Sequence, residues 1–98
     1  METKTAVITL EEPIARGDST IEQVTVRKPK AGELRGTNVK DILTMDYAAL
    51  ELVLPRITTP TLTRADVQNL DPADLTQFAV EVSGFLLTRQ LREDSQPA

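Results

Sequence analysis

The sequence predicts an α+β domain: an N-terminal two-stranded antiparallel hairpin, then three to four helices, with the long C-terminal helix central. Three observations carry this expectation. Two β-branched, apolar runs, Thr5–Leu10 and Ile21–Val26, stand near the N-terminus with a glycine reversal between them. Apolar residues after Pro29 recur at helical rather than alternating steps. The stretch Asp71–Leu91 then combines a cap, a proline and an apolar stripe in the order that starts and sustains a helix. Strands followed only by helices point away from a parallel sheet.

In the hairpin, Arg16-Gly17-Asp18-Ser19 supplies the turn, with Gly17 free to take positive φ and Ile14 set opposite Ile21. Pro13 cannot donate to a ladder, which predicts an edge position or a bulge there. A lone hairpin is marginal in water, so a helix must cover one face. Pro29 ends the second strand, and Ala31–Leu34 begins a weak helical segment that stops near Gly36 and restarts towards Lys40. Asp46 caps the next helix, which runs to about Ile57 with Tyr47, Leu50, Val53, Leu54 and Ile57 on its buried face. Pro55 bends or ends it within a turn. After the connector Thr58–Thr61, Thr63 and Asp66 form a capping box for a short helix that turns Val67 and Leu70 inward.

Asp71 caps the long helix, Pro72 occupies its first position, and Asp74 adds negative charge where the helix dipole favours it. Leu75, Phe78, Ala79, Val82, Phe85 and Leu86 form one apolar stripe. Phe78, Val82 and Phe85 are expected under the hairpin and against Leu50 and Leu54. Val80, Gly84, Leu87 and Leu91 form a second, narrower stripe at steps of four, three and four. Either the Leu50–Ile57 helix covers it or a partner does; Gly84 favours the partner, because glycine is costly inside a helix unless a backbone approaches closely. The domain thus spans residues 5–91, with 1–4 as a flexible lead and 92–98 as a disordered tail.

Composition narrows the function. The chain has 98 residues, enough for one small domain. Without cysteine or histidine it lacks thiolate chemistry, the usual general base near neutral pH and the commonest metal ligand. No catalytic, cofactor-binding or metal residues are assigned. A net charge of −4 and a single aromatic beyond two phenylalanines disfavour nucleic acid. No segment has the length or apolarity of a membrane span or signal peptide.

Several local patterns have plain structural readings. Asp66, Asp71 and Asp74 lack the ligand spacing of a calcium loop and sit where helix starts want carboxylates. Arg16-Gly17-Asp18 reads as a turn rather than an integrin ligand, and Arg27, Lys28 and Lys30 as a solvated strand end. The helix pair Arg64–Asn69 and Asp71–Leu91 has the order of a helix-turn-helix, but it would bring Asp71 and Asp74 against phosphate.

One resemblance goes further. Val7-Ile8-Thr9-Leu10, then Glu12-Pro13-Ile14, a glycine turn and Ile21, are followed by Val26-Arg27-Lys28-Pro29 with Ala31-Gly32-Glu33-Leu34 behind it. Leu70-Asp71-Pro72-Ala73-Asp74 then leads into an apolar helix with Phe85-Leu86. From Ala6 to about Leu87 this order resembles the tail assembly chaperones of Mu-like and P2-like contractile-tailed phages. The resemblance implies a non-catalytic protein that coats the tape measure protein and keeps it soluble until tail tube subunits polymerise around it. It also implies action in the bacterial host cytoplasm, absence from the mature virion, and a frameshift-extended form of the same chain as a possible partner. It supplies no binding motif, so the partner surface, for the tape measure or for a homo-oligomer, rests on Val80, Gly84, Leu87 and Leu91. The alternatives are a structural tail or baseplate component retained in the particle and, on the helix pair, a small transcriptional regulator.

Overall fold

A computed structural model describes residues 4–87. Strands β1 (Thr5–Arg16) and β2 (Ser19–Arg27) form the hairpin, followed by a 3₁₀ turn at Ala31–Leu34 and helices α1 (Val39–Leu43) and α2 (Tyr47–Ile57). A short strand β3 (Thr58–Thr59), α3 (Arg64–Gln68) and α4 (Pro72–Phe85) complete the chain. The fold class is α+β, as the sequence predicts, with the sheet ordered β1-β2-β3.

The hairpin closes across Gly17, whose φ of 59° is the left-handed value the turn requires, and Ile14 lies opposite Ile21. Register breaks between Thr9 and Ile14, the bulge expected around Pro13. β1 therefore extends past Leu10 to Arg16. Ile8, Leu10, Val24 and Val26 point to the buried face, where α4 packs across both strands. Phe78, Ala79, Val82 and Phe85 are buried there, in one core with Ile42, Leu50, Val53, Leu54, Ile57, Leu62 and Val67.

α2 ends two residues after Pro55, and the chain leaves it extended so that Thr58 and Thr59 pair with Val26 and Thr25. The Thr58 hydroxyl donates to the Leu54 carbonyl at 2.8 Å and accepts from the Leu62 N–H at 3.0 Å. What looks like a plain connector is thus a third strand fastened to the end of a helix. Gly36, at φ 91°, holds a backbone conformation that L side chains rarely adopt, and a Cβ there would also displace the end of the Leu52 side chain, 2.8 Å away.

The basic cluster is also differently used. Arg27 is not a solvated strand end: it makes a two-pronged ion pair with Glu33 at 2.7 and 2.5 Å and donates to the Arg56 carbonyl at 2.9 Å. Arg56 in turn donates to the carbonyls of Glu33 and Arg35 at 2.8 and 2.9 Å. The 3₁₀ turn is thereby clasped between the end of β2 and the end of α2. The Arg27 hydrogen bonds, outweighing the partial burial of the group and helped by the Lys30 N–H, hold the Glu33 carboxyl down at about 2.

A carboxyl lowered in the folded state contributes stability above its unfolded value, and that contribution is lost as pH falls through the folded value. For Glu33 the window runs from the ordinary glutamate range, about 4.3 in the unfolded chain, down to about 2. Glu33→Gln is expected to be less stable than the parent at neutral pH and to show a smaller loss across that window, measured by urea unfolding at stepped pH. Parallel pH profiles for the two proteins would show that the clasp contributes nothing.

Candidate partner-binding surface

The surface is built on the way α4 is held. Asp71 accepts the Ala73 N–H at 2.8 Å and Pro72 takes the first helical position, so the helix starts where the sequence places it. Asp74 does more than favour the dipole. Its side chain is fully buried and accepts the Glu11 N–H at 2.7 Å and the Glu12 N–H at 3.1 Å, with Gln77 at 3.3 Å. Asp66 accepts the Thr63 N–H at 2.9 Å and pairs with Arg16, which also reaches the Thr61 carbonyl. Each aspartate is therefore committed to backbone, and no group of three or more metal-binding side chains occurs among the described residues. The cleft of about 450 Å³ between the bulge and the α3–α4 junction is lined by Glu12, Asp66, Asp71 and Pro13, among others. In the first turn of α4, Asp74 is thus turned to the hairpin while Pro72 and Ala73 are exposed.

With α4 anchored at its start, the second stripe can be placed. Val80 is 52% exposed. Gly84 lies one turn later, and a Cβ built on it would meet nothing within 4 Å, so nothing among the described residues approaches its backbone. The helix does not continue through Leu87 as expected. It ends at Phe85, with the Leu86 N–H returned to the carbonyls of Ser83 and Gly84. Leu87 follows beyond the helix end, half-buried, its N–H 3.3 Å from the Gly84 carbonyl. Leu91 and the tail 92–98 lie outside the described residues, as does most of the lead 1–4. Lys4 is described, and its carbonyl accepts the Lys28 N–H.

A larger apolar feature escaped the sequence reading. Among the described residues, Val39, Leu43, Met45, Tyr47, Val80 and the distant Val7 are the exposed large hydrophobics. The first four fall in α1 and the turn into α2, and α1 packs beside α4, where Ser83 donates to the Ile42 carbonyl at 3.1 Å. Tyr47, expected on the buried face of α2, is 42% exposed. It stands in the first helical position, beside the Asp46 cap, and the burial of α2 begins only at Ala49. Spacing gave no signal for it: Val39 and Ile42 are three apart and share a helix face, yet Ile42 is the one buried residue of α1 while Val39 and Leu43 are exposed. Met45, at φ 60°, makes the reversal between α1 and α2.

This arrangement offers apolar area on adjoining elements. Residues 7–87 match the model of a family described as phage tail assembly chaperone proteins, E, or 41 or 14. The chain belongs to that family. It is 47% identical over 83 residues to tail assembly protein E of Escherichia phage P2, covering 85% of this chain and 91% of the relative. It is 46% identical over 84 residues to tail assembly protein E′ of the same phage, covering 86% of this chain but only 59% of that longer relative. No solved structure matches the chain.

Gly84 stands on an open side of α4 in this chaperone. A methyl group there meets open space, and removing a glycine from a helix narrows the unfolded ensemble. Gly84→Ala is expected to gain about 0.4–1 kcal/mol in denaturant unfolding. A loss of stability would mean that the helix backbone at Gly84 is closely packed after all.

Proposed function

We propose that this chaperone binds the tape measure protein of its phage and keeps it soluble in the host cytoplasm until tail tube subunits close around it, without catalysis and without remaining in the virion. The observation that carries this reading is the gathering of Val39, Leu43, Met45, Tyr47 and Val80 on α1, the turn into α2 and α4 in a member of the tail assembly chaperone family. A long helical protein with exposed apolar stripes aggregates unless those stripes are covered. Apolar residues on neighbouring helices suit an amphipathic helix, which docks through side chains one turn apart. Gly84 and Leu87 extend the same surface, with Leu91 beyond it as a proposed continuation. A frameshift-extended form would join after this domain, beyond the matched stretch, and could add a second contact with the same partner.

Co-expression tests the proposal. The parent chain is expected to move the tape measure protein into the soluble fraction. Val39→Glu with Val80→Glu changes two exposed sites, where substitutions ordinarily shift stability by less than about 0.5 kcal/mol each. That variant is expected to keep its unfolding midpoint and to lose most of the solubilisation. Full solubilisation by the folded double variant overturns the proposed surface. Recovery of the chain at structural stoichiometry in purified particles overturns the chaperone role itself in favour of a retained tail component.

A further inference from the structure

Lys28 donates its N–H to the Lys4 carbonyl at 2.8 Å, which makes that pair a hydrogen-bonded one in the hairpin ladder. Antiparallel pairs alternate, so Ala6–Val26 and Ile8–Val24 are bonded, while Thr5–Arg27, Val7–Thr25 and Thr9–Gln23 are not. Thr5, Val7 and Thr9 therefore turn both N–H and C=O away from β2. The same alternation turns Thr25 outward on the other strand, and there β3 meets it at Thr59. No such strand flanks β1, which is the sheet edge among the described residues. Further along, the Glu11 and Glu12 N–H groups are taken by Asp74.

Natural sheet edges are guarded by charges, prolines or bulges. In β1 those devices begin only after Thr9, where register breaks and Pro13 stands. Thr5-Ala6-Val7-Ile8-Thr9 carries none of them, and Val7 is 61% exposed, more than any other large apolar residue among those described. The segment is also self-complementary. Paired antiparallel about Val7, Thr5 meets Thr9, Ala6 meets Ile8 and Val7 meets Val7. The pairs at 5, 7 and 9 then each exchange two backbone bonds, and the 6 and 8 side chains stay on the core face.

We propose that the outer edge of β1 pairs with the same edge of a second copy of this chain, joining two three-stranded sheets about a two-fold axis at Val7. Self-complementarity favours a second copy over an arbitrary strand: Thr5–Thr9 holds no charge, so the two-fold register sets no like charges opposite one another within the paired segment. An isologous contact uses one patch twice and closes at two copies. It leaves α1, the turn into α2 and α4 open, and it stands whether or not the tape measure protein is the partner there.

Sedimentation equilibrium and amide hydrogen exchange on the full chain test this. The parent is expected to be a dimer, with the amides of Thr5, Val7 and Thr9 exchanging slowly although each faces away from β2. Val7→Pro removes an N–H that makes no bond within the hairpin, a place where an edge strand tolerates proline. It is expected to give a folded monomer whose thermal midpoint, unlike the parent's, does not depend on protein concentration. Val7→Lys, which keeps the N–H but adds a charge to the edge, is expected to weaken the dimer at least tenfold, and it decides the matter if the proline variant fails to fold. A monomeric parent, a dimer that survives Val7→Lys unweakened, or a dimer whose Thr5, Val7 and Thr9 amides exchange freely overturns the proposal. Protection of those amides that arises only on adding the tape measure protein assigns the edge to a foreign strand and overturns it as well.

Discussion

Asp74 lies in the first turn of α4, fully buried, and its carboxylate accepts the N–H groups of Glu11 and Glu12 across 63 and 62 positions of sequence. Those two N–H groups lie in the stretch where β1 loses register with β2. Left without an acceptor, each would cost about 1–3 kcal/mol. The side chain also sits in the first turn of α4, where the positive end of the helix dipole favours an acidic residue. One side chain thus satisfies the bulge, seats the start of α4 and sets which face of that helix lies on the hairpin. Phe78, Val82 and Phe85 then fall on the sheet, and Val80 and Gly84 on the remaining side.

The second constraint is at the other end of the hairpin. Arg27, Glu33 and Arg56 tie the end of β2, the 3₁₀ turn and the end of α2 into one cluster of charge-assisted bonds. Between the two anchorages the core is continuous from Ile8 to Phe85. α1 is attached more lightly, through Ile42 in the core and the Ser83 hydroxyl on its carbonyl. A single-turn helix with one buried side chain leaves the rest of its apolar residues uncovered. The exposed apolar area of the domain is concentrated where the fixed scaffold holds it least completely, which suits a surface meant for another chain.

The features legible in the sequence were those governed by local chemistry. Caps at Asp46, Thr63 and Asp71, the helix stop after Pro55, the Gly17 turn and the irregularity at Pro13 each follow from one or two residues, and each stands where the residues place it. The order of short motifs also identified the family. What was not legible depends on partners distant in sequence. Asp74 looks like any first-turn carboxylate until the bulge is set against it, and Arg27 looks solvated until Glu33 and Arg56 fold beside it. β3 is two residues long and carries no pattern of its own. Tyr47 fits a helical stripe by spacing, yet as the first residue of α2 it is exposed, with burial beginning at Ala49. Periodicity set Val80, Gly84 and Leu87 on one helical stripe, but the helix has already closed before Leu87.

The account assigns different tasks to different parts of one small chaperone: a hairpin anchored by Asp74, and a helical side left open for a partner. Hydrogen exchange of the chain alone and with its tape measure protein tests that division most directly. The account expects added protection in residues 39–47 and 80–87, with the amides of β2 unchanged. Protection spread over the outer face of the hairpin, with none in α1, the turn into α2 or the end of α4, would contradict it.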